Sequence, residues 1–148
     1  MTTRILMWLA AAAFLASWFL PVTDSVAGWE AFRYALSPLV PFRQLGTLGE
    51  HAVPAVLSAL TNVVFLVLLA LWVTRQRVRP GMFVRIAIAC VVLNLYWLAQ
   101  AWRDQDLDSL RAGYFLWLAA FGLLLATAVL SAFEARRTSR TPMAGTPS

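Results

Sequence analysis

Four long apolar segments constrain this chain more than any other feature of its sequence. They cover residues 5–22, 52–74, 83–102 and 114–133, and Arg85 is the only charged residue within them. A helix crosses the hydrocarbon core of a bilayer in about 20 residues, and lipid offers no partner to an unpaired backbone group. Each segment therefore predicts a transmembrane helix.

The composition supports one membrane domain. Of the 148 residues, 61% are hydrophobic and 13% are charged, which is too little polar surface for a water-soluble domain of this size. We expect an all-α integral membrane four-helix bundle over residues 1–135. Residues 136–148 are rich in Ser, Thr, Pro and Gly and lack apolar periodicity, which predicts a disordered cytoplasmic tail.

The first apolar segment also allows another interpretation. Arg4, the apolar stretch and the small residues of 25–27 resemble a secretory signal with its cleavage site. The stretch is longer than the usual signal core and carries Trp8, Trp18 and Phe19, which favours a retained span. Both interpretations stay open at this point.

The basic residues, all arginine, predict how the chain is threaded. With four spans, the side that holds both termini carries eight of them and the other side carries four. Arginine is enriched in cytoplasmic loops, so both termini should be cytoplasmic. Basic residues without lysine, together with much Ala and Leu, are typical of a GC-rich bacterial genome, which predicts a bacterial inner-membrane protein. The eight are Arg4, Arg75, Arg77, Arg79, Arg85, Arg136, Arg137 and Arg140.

The loop between the second and third spans is short and basic. Arg75, Arg77 and Arg79 precede the turn-forming pair Pro80-Gly81, so the two spans should form an antiparallel hairpin. We expect these arginines to contact anionic lipid headgroups, at about 1 kcal/mol per charge near the surface.

The first outer loop contains an amphipathic pattern over residues 28–36. Trp29, Phe32 and Leu36 fall on one helical face, whereas Glu30 and Arg33 can pair on another. A short helix on the membrane surface or over the end of the bundle fits this pattern. It could serve as a lid or a partner-docking surface formed by these five residues, or it could simply close the bundle.

The same loop carries a resemblance to other proteins. Phe19-Leu20-Pro21, a spacer and then Gly28-Trp29-Glu30-Ala31-Phe32 resemble the first outer loop of some small, uncharacterised four-span bacterial membrane proteins. The resemblance covers about a tenth of the chain. It implies the four-span fold and no particular activity.

Polar residues inside the spans suggest interhelical contacts. Asn62 and Asn94 are equally far from the predicted hairpin turn, so we expect their amides to share a hydrogen bond of about 0.6 kcal/mol. A polar lining for a solute path is the alternative. The small residues of 10–13, with Gly122 and Ala126, suggest that the first and fourth spans pack together or that either span docks a partner helix.

The second outer loop has carboxylates at alternate positions. Asp104, Asp106 and Asp108 begin like a calcium loop, but Ser109 and Phe115 stand where the pattern needs Gly and Glu. Capping of the fourth span by Asp106 or Asp108 is the simpler interpretation. We therefore predict no metal site.

The sequence excludes several function classes. A single cysteine, Cys90, cannot form an internal disulfide or a Cys-x-x-Cys centre, and His51 alone cannot supply a zinc cluster. No cofactor motif or catalytic pair is present, and the positive charge follows membrane topology rather than nucleic-acid binding.

Two functional hypotheses remain. The first is a non-enzymatic accessory or assembly subunit that interacts with other membrane proteins or with itself. The second is a small oligomeric transporter or channel for a neutral or hydrophobic solute, using Asn62, Asn94 and Gln100.

Overall fold

The computed structural model describes residues 2–37, 52–74 and 79–140, with side chains up to residue 137. The predicted all-α four-helix bundle is confirmed, as is a fifth, short helix in the first outer loop. Arg75, Arg77, His51 and residues 141–148 lie outside the described residues. The helices are α1 (Thr2–Phe19), α2 (Gly28–Leu36), α3 (Ala52–Val73), α4 (Pro80–Arg103) and α5 (Ala112–Arg140), with a 3-10 turn at Leu107–Ser109.

The helix boundaries follow local chemistry. α1 ends at Phe19 because Leu20 precedes Pro21, and a residue before proline avoids the helical region. Pro80 stands at the first position of α4, where its missing N–H has no helical partner to lose.

α5 is longer than the sequence predicts. The tail expected to be disordered from Arg136 is helical as far as Arg140. Glu134, Ala135 and the arginines that follow favour helix, and cations near a helix C-terminus complement its dipole. The helix therefore extends five residues into the segment predicted as a disordered tail.

Four helices, α1, α3, α4 and α5, are long and apolar enough to cross a membrane. Only 22% to 33% of each candidate span is buried within the chain, so most of its apolar surface faces outward. An apolar exterior of this extent fits lipid rather than water, as expected for an integral membrane protein. The exposed side chains include Ile5, Leu9, Leu15, Val53, Leu57, Leu60, Val63, Ile88, Val92, Leu130 and Phe133.

The bundle is held most closely where α1 packs on α5 and α4 packs on α5. The expected packing of the first and fourth spans is confirmed, but Gly122 does not mediate it: its surroundings are open within 4 Å and it is exposed. The small residues Ala10 of α1 and Ala120 of α5 are instead buried in one core together with larger side chains.

An aromatic cluster occupies the centre of the bundle. The rings of Phe14 and Phe65 are stacked, with centroids 4.3 Å apart and planes within 9°. Phe121 meets both rings edge-on, at 6.3 Å from Phe14 and 5.3 Å from Phe65. All three side chains are at most 1% exposed. The cluster therefore joins α1, α3 and α5 through side chains of three different helices.

Backbone hydrogen bonds fix the first outer loop to α5. The N–H groups of Arg111 and Gly113 donate to the carbonyl oxygens of Val22 (3.0 Å) and Pro21 (2.9 Å). Arg111 also forms an exposed ion pair with Asp24. Because these carbonyls satisfy donors at the start of α5, the predicted capping of this helix by Asp106 or Asp108 is wrong.

The second outer loop begins with a tight helix ending. The N–H of Asp106 donates to Ala101 O, and that of Gln105 donates to Trp102 O. This pair of bonds is the Schellman motif, with Gln105 in the left-handed conformation at φ 57°. The chain thereby turns toward the 3-10 segment and the start of α5.

Close backbone approach explains why glycine opens α2. The Gly28 N–H donates to Leu20 O at 3.1 Å. A Cβ at Gly28 would lie 2.3 Å from the carbonyl oxygen of Ser17 and 2.9 Å from Trp18 Cα. Since both are α1 backbone atoms, α2 can start here only with glycine.

The substitution Gly28→Ala tests this packing. Outside such a contact, alanine favours a helix over glycine by about 1 kcal/mol. At Gly28 the clash with Ser17 reverses this preference, and we expect a loss of about 1–3 kcal/mol. Thermal unfolding in mild detergent measures the effect.

Gly81→Ala is the matched control, because Gly81 also lies in a first helical turn and has open space around it. It should leave stability unchanged or raise it slightly. Equal effects of the two substitutions would contradict the packing described for Gly28.

Candidate binding cavity

A cavity of about 360 Å³ lies at the end of the bundle that carries α2, called here the α2 end. Its walls come from the last turn of α1, the first outer loop, α2, the adjacent half of α3, Trp97 of α4, and the start of α5. The loop-to-α5 hydrogen bonds described above hold these elements together. The cavity is thus a product of tertiary contacts rather than of one motif.

The lining of the cavity is largely apolar and aromatic. None of the described residues that line it is charged, which leaves hydroxyl, indole and amide groups as its polar atoms. Trp18 of α1 and Phe32 of α2 both line it and contact each other, with ring centroids 5.4 Å apart. The aromatic side chains in the lining are Trp18, Phe32, Tyr34, Trp97, Tyr114 and Trp117.

The aromatic cluster lies deeper in the bundle than the cavity. Each member of the cluster lies about one helical turn deeper in the bundle than a lining residue of its own helix. Phe14 lies three residues from Ser17, Phe65 lies three from Asn62, and Phe121 lies four from Trp117. Beyond the cluster the described core is filled by buried side chains such as Leu68 and Leu124. The cavity therefore belongs to the α2 half of the bundle.

α2 covers the cavity without being buried in the bundle. Ala31, Phe32, Tyr34 and Ala35 line it, yet no residue of α2 is classed as buried. The start of the helix is stabilised by Glu30, whose carboxylate accepts a hydrogen bond from the Ala27 N–H at 2.9 Å. α2 is therefore a separately capped helix resting on the bundle.

The five residues predicted as one interaction surface divide between two faces. Phe32 faces the cavity, and Leu36 is half-buried. Trp29 is 41% exposed, and the Arg33 guanidinium lies 5.6 Å from the centre of its ring. Glu30 caps the helix. A docking role for the outward residues Trp29 and Arg33 stays a prediction.

Asn62 lies at the deep side of the cavity, where its amide is held by α5. The indole Nε1–H of Trp117 donates to Asn62 Oδ1 at 2.7 Å. An indole N–H can only donate, so this bond fixes which amide atom faces Trp117. The Asn62 nitrogen Nδ2 must then point elsewhere.

Asn94 belongs to a different polar cluster, between α4 and α3. Its Oδ1 accepts hydrogen bonds from Ser58 Oγ and Thr61 Oγ1, each at 3.1 Å, while Nδ2 is buried without a partner. Both amides are described, and no hydrogen bond joins them. The predicted Asn62–Asn94 bond is therefore wrong, although Asn94 does connect the two helices of the predicted hairpin.

The helix boundaries explain this error. α4 begins at Pro80 rather than Phe83, which shifts Asn94 by nearly one turn relative to the prediction. It then lies level with Ser58 and Thr61, whereas Asn62 faces α5. The spacing of Ser58, Thr61 and Asn62 at i, i+3 and i+4 was a signal of one polar helical face.

Tyr114 and Trp117 take no part in the polar contacts predicted from the sequence. The structure gives both a hydrogen-bonding role, since Tyr114 Oη donates to Asn94 O at 3.0 Å and Trp117 donates to Asn62. A buried Tyr or Trp usually finds a partner for its polar hydrogen, which is the signal that could have indicated these contacts.

The described residues contain no group of three or more His, Cys, Asp or Glu that could hold a metal ion. No protein family, curated protein or solved structure matches this chain. The resemblance of the first outer loop therefore stays a prediction, and the geometry of the cavity carries the functional argument.

A double-mutant cycle distinguishes the observed polar contacts from the predicted one. Ser58→Ala combined with Asn94→Leu should be non-additive by about 0.6 kcal/mol, because the two side chains share a hydrogen bond inside the membrane. Asn62→Leu combined with Asn94→Leu should be additive. Unfolding of the six proteins in mixed micelles provides the measurement.

The reverse pattern, with coupling between Asn62 and Asn94 and none between Ser58 and Asn94, would contradict the described network.

Proposed function

We propose that this chain is a non-enzymatic protein of the bacterial inner membrane that binds a neutral, largely apolar molecule in the cavity beneath α2. The observation that carries the proposal is an aromatic cavity of about 360 Å³ without a charged residue in its described lining. Small-molecule sites are typically about 300–1,000 Å³ and mostly apolar, with a few polar groups.

The lining favours an uncharged ligand for an energetic reason. Moving an ion out of water costs several kcal/mol unless a partner charge or several hydrogen bonds replace its hydration. The described lining of this cavity supplies no such charge. An apolar molecule, by contrast, gains about 25 cal/mol per Å² of surface that it buries.

The orientation of the chain belongs to the same proposal. The arginine distribution favours cytoplasmic termini, so the α2 end would face the outside of the inner membrane. The cavity would then receive its ligand from the outer leaflet or the adjacent aqueous space. On the other side, Arg75, Arg77 and Arg79 would contact anionic headgroups.

We propose a lid role for α2. Its residues cover the cavity, but none is buried, so displacing the helix exposes little core. Transport would also require the buried Phe14–Phe65–Phe121 cluster to separate, since it lies between the cavity and the far half of the bundle. This arrangement supports ligand binding over an open channel.

An accessory or assembly role is the second candidate. It is favoured by the outward face of α2, where Trp29 is 41% exposed beneath the Arg33 guanidinium. Aromatic residues and arginine are enriched in protein interfaces. A membrane protein partner docked there would cover the lid from outside, so the two roles are compatible.

Filling the cavity tests the proposed binding. Ala59 lines the cavity and is 2% exposed, so Ala59→Phe places a ring in the ligand space. Overpacking costs about 1–3 kcal/mol, and ligand affinity should fall at least about five-fold. Photolabelling by a diazirine-bearing monoacylglycerol in vesicles, with labelled residues mapped by mass spectrometry, measures binding.

Leu60→Phe is the matched control, because the neighbouring side chain faces outward and is 43% exposed. Labelling of cavity residues should survive this change. Wild-type labelling confined to lipid-facing residues such as Leu60 would contradict the proposed binding.

A further inference from the structure

We infer that the cavity recognises a carbonyl oxygen of an uncharged lipid through the amide nitrogen of Asn62. The lipid class is one whose hydrocarbon fills the aromatic cavity and whose ester or quinone carbonyl accepts the hydrogen bond. The inference rests on the proposed function, since it specifies the ligand of the same cavity.

The orientation of the Asn62 amide is fixed by its contact with α5. Its oxygen is occupied by the indole N–H of Trp117 at 2.7 Å. Neutral indole cannot accept a hydrogen bond in the ring plane, so rotation of the amide would place two donors against each other. Trp117 therefore commits Asn62 to present Nδ2, a donor, away from α5.

The Asn62 Nδ2 donor is not used within the described protein. Asn62 lines the cavity and retains 7% exposure, and Nδ2 forms no hydrogen bond with any described residue. A ligand that brings an acceptor forms a hydrogen bond with this amide nitrogen, whereas a pure hydrocarbon leaves it without a partner.

The neighbouring polar groups of the cavity donate their hydrogens within the protein. Ser17 Oγ donates to Phe14 O at 2.7 Å, and Ser58 Oγ donates to Asn94 Oδ1. Tyr114 and Trp117 also donate within the protein. Among these deep lining residues, Asn62 Nδ2 is the donor that remains for a ligand.

The polar groups of the cavity favour a ligand with a carbonyl group over ligands with other polar groups. A carbonyl accepts without donating, and so it matches a site whose amide oxygen is already occupied. A carboxylate or ammonium would lack a partner charge in the described lining. Ester lipids and quinones share the required oxygen and a long hydrocarbon chain, and the experiment separates these two sources.

The test uses the full chain in vesicles and the photolabelling assay described above. Three competitors of equal chain length are compared: a decyl-substituted benzoquinone, a decanoyl monoacylglycerol and a decyl hydrocarbon without oxygen. The deciding quantity is the ratio of carbonyl-ligand affinity to hydrocarbon affinity, because a general loss of folded protein leaves that ratio unchanged.

The decisive variant is Asn62→Leu combined with Trp117→Phe, which removes both partners and leaves no indole donor unpaired. We expect the ratio to fall about five- to ten-fold for whichever carbonyl competitor binds the wild-type protein, in keeping with one hydrogen bond. Trp117→Phe alone keeps Nδ2 and should retain most of the ratio. The competitor that loses affinity identifies the source as ester or quinone.

Four outcomes would overturn the inference. An unchanged ratio in the double variant, or an equal fall in Trp117→Phe alone, would remove Asn62 as the recognition group while leaving the proposed binding intact. If only the hydrocarbon competed with the label in the wild-type protein, Asn62 would likewise be removed as the recognition group. If no competitor displaced the label from cavity residues, the proposed function would fail together with the inference.

Discussion

Backbone hydrogen bonds at the α2 end are the interactions on which the rest of the structure depends. The carbonyl groups of Leu20, Pro21 and Val22 accept from Gly28, Gly113 and Arg111, which joins the end of α1 to the starts of α2 and α5. Gly113 is as restricted as Gly28, since a Cβ there would lie 2.6 Å from Pro21 O. Without this arrangement α2 would not lie over the bundle, and the cavity would lose its cover.

The two halves of the bundle differ in how they are stabilised. The half away from α2 is filled by apolar contacts, with the edge-to-face pair Trp8–Trp72 near its end. The α2 half combines an apolar cavity with hydrogen bonds between helices, made by Trp117, Tyr114 and Asn94. Such bonds add modest stability in a membrane but fix geometry, because few alternative partners exist there. A hydrogen-bonded polar wall beside an apolar cavity is an arrangement suited to ligand binding.

Much of the fold was predictable because lipid imposes simple rules. The length of the apolar segments predicts four spans, and the Trp29, Phe32 and Leu36 spacing predicts α2. The contacts of the cavity were not predictable in this way. The bonds of Leu20–Val22 use backbone groups that every sequence carries, and the partner of Asn94 depended on where α4 begins. The fixed orientation of Asn62 required a residue 55 positions away, and no sequence spacing indicates such a pair.

The most direct measurement of the central claim is native mass spectrometry of the wild-type protein extracted from its membrane in mild detergent. The account predicts one uncharged lipid retained per chain, and dissociation of the complex should release a molecule that carries a carbonyl group. A chain that retains no lipid, or that retains only anionic phospholipid in variable numbers, would contradict it.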